Sequence, residues 1–103
     1  MSLAGLGRFA DPAVLILSSL AGGDRHGYAL IADIEDFAGV TVGPGTLYAA
    51  LTRLLDRGLV EALPVEGRRR PYRLTAVGAD ELRSYLTHTR TVAGVGLRRL
   101  ALS

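Results

Sequence analysis

The sequence predicts a mainly helical α+β fold, in which three short helices precede a two-stranded β-hairpin and a longer helix follows it. Apolar residues recur at spacings of three and four in separate segments, which is the period of an amphipathic helix. Glycine and proline separate these segments, with 13 Gly and 4 Pro in 103 residues. One later segment instead contains two short extended runs around a polar, glycine-containing tip, as in a hairpin.

The first two predicted helices occupy residues 12–20 and 27–37. Asp11 can cap the free N–H groups of the first helix, and the proline that follows it is tolerated at the first helical position. Gly22 and Gly23 end this helix. The second helix carries one apolar face, formed by Leu30, Ile31, Ile34 and Phe37.

A third helix is predicted from Pro44 to about Arg57, after a turn over residues 38–43. Gly58 follows it and suits a left-handed C-terminal cap. Three leucines lie within one narrow stripe of this helix and predict its buried face: Leu47, Leu51 and Leu54.

The hairpin is predicted from strands at residues 59–63 and 72–74, with a polar tip at residues 66–70. Thr75 then caps the last helix, which is expected to reach at least residue 92. Its extent beyond that point stays open, because Gly94 and Gly96 each lower helix propensity by about 1 kcal/mol relative to Ala.

Three helices followed by a hairpin form the winged helix-turn-helix arrangement. The predicted organisation is a flexible N-terminal arm at residues 1–11, a winged helix-turn-helix domain at residues 12–75 and a dimerisation helix at residues 76–103.

Composition excludes several functional classes. The absence of cysteine excludes disulfides and thiolate metal sites, and the two histidines, His26 and His88, are far apart in sequence. No nucleophile, base and orienting group form a plausible catalytic set, so neither an enzyme nor a cofactor is expected. The longest apolar run is too short to cross a bilayer and no signal peptide is evident, so a cytoplasmic protein is expected.

The charge distribution favours a nucleic-acid partner. The net charge is only +2, and the use of arginine at all twelve basic positions is best explained by the codon preference of a GC-rich genome. The distribution of the charge is more informative. Residues 24–41 carry one Arg and four acidic residues, whereas residues 43–73 carry six Arg and three acidic residues. The positive charge of this central block can meet the phosphate backbone of double-stranded DNA.

The face of the third helix opposite the leucine stripe suits the major groove of DNA. The side chains near the start of this face are small, which permits close approach of the helix to DNA. The face also carries groups that bind phosphate or guanine. With the flanking positions, the predicted contact residues are Gly45, Thr46, Tyr48, Ala49, Thr52 and Arg53. Tyr28 and Tyr72 are instead predicted to cover the edge of the core, and His26 to cap or pack.

The hairpin tip adds Arg68, Arg69 and Arg70, which can contact the neighbouring DNA backbone or minor groove. The alternative is a solvated charge cluster, and the position after a groove-type helix favours the DNA contact. The acidic residues Asp33 and Asp36 are predicted to lie on a solvated outer face.

The ordered motifs resemble the PadR family of transcriptional regulators over about residues 12–86. The resemblance rests on His26-Gly27-Tyr28, Gly45-Thr46-Leu47-Tyr48, Arg53-Leu54, Gly58-Leu59-Val60, the Gly67 to Arg70 tip, Tyr72-Arg73-Leu74-Thr75 and Gly78. The single helix after the wing resembles the compact branch of that family.

The resemblance implies a homodimer held by the last helix, which binds a two-fold-symmetric operator and acts as a ligand-responsive repressor. It also implies a small-molecule effector near the dimer interface. Some compact relatives place a tryptophan on the last helix, where this chain has Thr89, which argues against a flat aromatic effector. The predicted interface comprises Leu82, Leu86, Thr89, Ala93, Leu97 and Leu100. The alternative function is a winged-helix module for protein–protein interaction without DNA binding.

Overall fold

The computed structural model describes residues 11–103, and the predicted N-terminal arm lies almost entirely outside them. The predicted order of three helices, a hairpin and a final helix is confirmed, with one additional short strand. The elements are α1 (Pro12–Leu20), β1 (Arg25–His26), α2 (Gly27–Ala38), α3 (Pro44–Asp56), β2 (Val60–Ala62), β3 (Pro71–Leu74) and α4 (Ala76–Leu102).

Local capping explains why the helices begin and end where they do. The side chain of Asp11 accepts a hydrogen bond from the Ala13 N–H at 2.9 Å, and the Thr75 hydroxyl accepts one from the Gly78 N–H at 3.0 Å. Each contact satisfies a donor that has no partner within its helix. Gly58 has a φ of 71°, the left-handed conformation predicted for it.

The sheet has the order β1-β3-β2, and both pairings are antiparallel. In β2 and β3, Val60 pairs with Leu74 and Ala62 with Tyr72, which confirms the predicted hairpin. The unpredicted strand β1 pairs His26 with Pro71. Through this pairing the start of α2 lies directly beside the hairpin.

The core lies between α1, α2, α3 and the inner side of the sheet. The predicted leucine stripe of α3 is buried, as are Leu30 and Ile34 of α2. Phe37, predicted on the same face of α2, is instead half exposed in the last turn of the helix.

Asp33 corrects the prediction of a solvated acidic face. Its carboxylate accepts a hydrogen bond from the buried Ser19 hydroxyl at 2.6 Å and lies 3.6 Å from the guanidinium of Arg25. Arg25 also donates to the Ser19 carbonyl at 3.3 Å. Asp33 therefore links α2 to α1 and β1, and only its neighbours Glu35 and Asp36 face solvent.

The helix α4 extends well beyond the domain against which its first turns pack. Its 27 residues correspond to about 40 Å, and Gly94 and Gly96 do not interrupt it. Gly78 and Leu82 are buried, but from residue 83 onward every position is exposed or half-buried. No helix within residues 11–103 is long and apolar enough to cross a membrane.

Candidate nucleic-acid interface

The outward face of α3 carries all the residues that the sequence assigns to it. Each of them is exposed: Gly45, Thr46, Tyr48, Ala49, Thr52 and Arg53. A Cβ placed on Gly45 would meet nothing within 4 Å, so space is open in front of the first turn. The Thr52 hydroxyl donates to the Tyr48 carbonyl at 2.9 Å, which directs it along the helix.

The ring of Tyr48 lies across the start of α2, where Gly27 leaves room for it. A Cβ on Gly27 would collide with the Tyr48 hydroxyl and lie 2.9 Å from its Cζ. Tyr48 nevertheless stays 46% exposed. The hydroxyl end of the ring thus packs against the start of α2, and much of the side chain remains in solvent.

The tip between β2 and β3 is a tight turn that displays three arginines. Glu66 and Arg69 exchange two backbone hydrogen bonds, at 2.7 and 3.0 Å, and Gly67 between them has a φ of 62°. The predicted wing residues Arg68, Arg69 and Arg70 are all exposed. Arg70 also donates to the Leu63 carbonyl at 2.7 Å, which holds its side chain against the hairpin.

The arginines and Tyr48 border one cleft, which we call the wing cleft. It lies between the start of α2, α3 and the hairpin, and its lining residues are His26, Gly27, Tyr28, Tyr48, Arg68, Arg69, Arg70 and Tyr72. Tyr28 was predicted to cover the core edge, but it is 73% exposed. His26 caps α2 as predicted, since its Nδ1 accepts from the Ala29 N–H at 3.3 Å.

Electrostatics distinguish the residues in and near this cleft. Burial raises the pKa of the Tyr72 phenol above its ordinary value, the neighbouring Tyr48 raises it further, and Arg70 lowers it. Tyr72 therefore remains neutral near pH 7. Arg73, by contrast, lies 3.3 Å from Asp24 and 3.6 Å from Glu61, and the hydrogen bond and charge of Asp24 raise its pKa. Arg73 is thus held in ion pairs beside the sheet, whereas the tip arginines form no ion pair within residues 11–103.

The predicted interface residues of α4 divide into two groups. Leu82 is only 6% exposed and packs in the core of its own chain, so its assignment to a subunit contact is corrected. Leu86 is 41% exposed and lines a groove between α4, the end of α1 and β3. The remaining predicted residues are all exposed on the projecting part of the helix: Thr89, Ala93, Leu97 and Leu100.

Comparison with known proteins agrees with this geometry. Residues 16–84 match the family described as Transcriptional regulator PadR-like family. A PadR family transcription regulator from hypervirulent Clostridium difficile R20291 superposes with a TM-score of 0.78 at 26% sequence identity. The match covers 86% of this chain and 97% of that structure.

Two curated relatives are similar over two thirds or more of this chain. An uncharacterized 37.1 kDa protein in transposon TN4556 of Streptomyces fradiae is 47% identical over 75 residues, or 73% of this chain. The transcriptional activator GvpE2 of Halobacterium salinarum is 33% identical over 69 residues, or 67% of this chain. The matches span only 22% and 35% of these relatives' lengths. The family match and the shared fold show that this chain belongs to the PadR-like family of transcriptional regulators, which are DNA-binding regulators and not enzymes.

Proposed function

We propose that this chain acts in the cytoplasm as a repressor that binds a two-fold-symmetric operator as a homodimer. The observation that carries the proposal is the wing cleft, where Tyr48 of α3 and the three tip arginines border one surface. A groove helix and a basic hairpin that converge in this way can contact the major groove and the adjacent backbone together.

The homodimer is supported by the unpartnered part of α4. A helix that projects from the domain with Leu97 and Leu100 in water exposes apolar surface that a second copy would cover. A two-fold contact would also place two copies of α3 about 34 Å apart, one turn of DNA. The groove beside Leu86, which Arg83 and Arg90 also line, is the proposed position of a small-molecule effector.

The proposal is tested by titrating the protein with mixed duplex DNA at increasing salt concentration. A DNA-binding protein loses affinity steeply, because its arginines release counterions from the phosphates. A protein–protein interaction module would show little binding at any salt concentration. Footprinting upstream of the chain's own gene would then locate the operator, and a reporter fused to it would distinguish repression from activation.

Arg53→Ala is expected to weaken operator binding by about 1–3 kcal/mol if the guanidinium pairs with a guanine in the major groove. The side chain is exposed in the last turns of α3, so the free energy of unfolding should hardly change. Fluorescence anisotropy with a labelled operator and a thermal melt measure the two quantities. Unchanged affinity in the folded variant would refute the assignment.

Replacement of Arg68, Arg69 and Arg70 by alanine is expected to reduce affinity for every duplex sequence. Backbone contacts carry no sequence information, so the loss should be equal for operator and random DNA. The slope of log affinity against log salt concentration should fall by about 0.9 for each lost phosphate contact. A slope equal to that of the wild type would show that the tip does not contact the backbone.

A further inference from the structure

His26 lies between two hydrogen-bond donors, one at each ring nitrogen. Its Nδ1 faces the Ala29 N–H at 3.3 Å, and its Nε2 faces Nη1 of Arg69 at 3.3 Å. The guanidinium and the backbone amide can only donate. A neutral imidazole has one accepting nitrogen and one N–H, so it can accept from only one of these two groups at a time.

An acceptor that enters the wing cleft would allow His26 to keep the α2 cap and would also give the Arg69 guanidinium a partner. When Nδ1 caps α2, Nε2 must carry the proton, and the Nε2–H then points at the Arg69 guanidinium. An oxygen that bridges the two nitrogens from the open side of the cleft would accept from both, and the α2 cap would be kept. An anionic oxygen suits the site, because hydrogen bonds from arginine to a charged acceptor are the stronger kind.

The surroundings of this point fit a phosphate. Arg68 and Arg70 border the same cleft, as do the hydroxyl-bearing side chains of Tyr28 and Tyr48. Tyr28 is largely in water, so packing does not account for its position. Hydroxyl and guanidinium groups are among the side-chain groups that bind the DNA backbone.

We propose that His26, in its Nε2–H form, and Arg69 together bind one DNA backbone phosphate in the wing cleft. His26 is then a DNA-contacting residue as well as the cap of α2. This inference rests on the proposed DNA binding and adds to it a contact from the start of α2. It also accounts for β1, since the pairing of His26 with Pro71 brings the imidazole to the wing.

The first test compares His26→Asn with Arg69→Ala on the same set of duplexes. Asparagine retains an oxygen that caps a helix but is too short to share the phosphate. His26→Asn should lower affinity about 10-fold for operator and random DNA alike, with an unchanged salt slope, because a neutral ring releases no counterion. Arg69→Ala should lower both the affinity and the slope, the latter by about one unit. Their double variant should lose less than the sum of the two effects.

The second test reads the ring directly by NMR of ¹⁵N-labelled histidine at about pH 8, where imidazole is ordinarily neutral. Addition of duplex DNA should move the Nε2 resonance of His26, because the Nε2–H gains a phosphate acceptor, and should leave His88 on α4 unchanged. A parallel titration with inorganic phosphate identifies the source of the anion. A response to inorganic phosphate alone would overturn the assignment to DNA.

The two tests distinguish failure of this inference from failure of the proposed DNA binding. Tight DNA binding with normal affinity for His26→Asn and an unmoved Nε2 resonance of His26 would overturn this inference but not the proposed function. Failure of the wild type to bind any duplex would overturn the proposed function itself, and this inference with it. A thermal melt of His26→Asn confirms that the α2 cap survives the substitution.

Discussion

Leu86→Arg is expected to separate the proposed homodimer into monomers and to reduce operator affinity about 100-fold or more. Leu86 is partly exposed on α4 and lies on the same side of the helix as Leu97 and Leu100, the surface that a second copy would cover. An arginine there would be desolvated at the contact without a partner, which is strongly unfavourable. The monomer would also lose the simultaneous attachment of two recognition helices. Light scattering measures the mass, and anisotropy measures the affinity.

Two further variants make this result specific. Leu97→Arg alters the projecting part of α4, where the side chain is 68% exposed, so it should dissociate the dimer without any effect on the core. Ser84→Arg adds the same charge at an exposed position on the opposite side of α4 and should remain dimeric. A monomeric wild type at micromolar concentration would contradict the proposed assembly, as would a Leu97→Arg variant that stays dimeric.

Gly78→Ala is expected to destabilise the fold by about 1–3 kcal/mol, although alanine is the better helix former. A Cβ at this position would collide with the Leu59 carbonyl oxygen and lie 2.9 Å from both the Leu59 carbonyl carbon and Cδ1 of Leu74. The Leu59 carbonyl cannot move freely, because it accepts from the Thr75 N–H at 3.1 Å. A backbone shift therefore outweighs a gain of about 1 kcal/mol in helix propensity.

Gly94→Ala in the same helix is the matched control. There a Cβ would approach only the flexible end of the Arg98 side chain, at 3.2 Å, and the position lies away from the leucine stripe. This variant should gain about 0.4–1 kcal/mol in stability. Chemical denaturation of both variants at equal concentration measures the difference. Equal stability of Gly78→Ala and Gly94→Ala would show that α4 does not pack closely on the turn after α3.

The candidate interface was predicted from sequence where short-range chemistry decides the structure. The start of α3 at Pro44 and its end before Gly58 follow from the fixed φ of proline and the freedom of glycine at positive φ. The spacing of Leu47, Leu51 and Leu54 then separates a buried face from an outward one, so the exposed residues of α3 followed directly. The exposure of the tip arginines was equally predictable from sequence, because hairpin turns lie at the protein surface.

The contribution of α2 to the wing cleft was missed for a different reason. The strand β1 contains only Arg25 and His26, which is too short to show any alternation. It exists because β3 offers a free edge, and that edge is created by a hairpin more than 30 residues later in the chain. The prediction that Tyr28 covers the core edge was wrong because the surroundings of this residue depend on where the wing packs.

The sequence by itself determined the order of the helices and the hairpin, the helix caps, the face of α3 and the family motifs, since each depends on residues within one or two turns of each other. The tertiary structure alone decided which groups meet across elements. It paired Asp33 with Ser19, seated Tyr48 over Gly27 and brought Arg69 to His26. It also separated Leu82, buried where α4 crosses the core, from Leu86 one turn later. The physical reason is that periodicity places a residue on a face of its helix, whereas only packing defines what lies opposite that face.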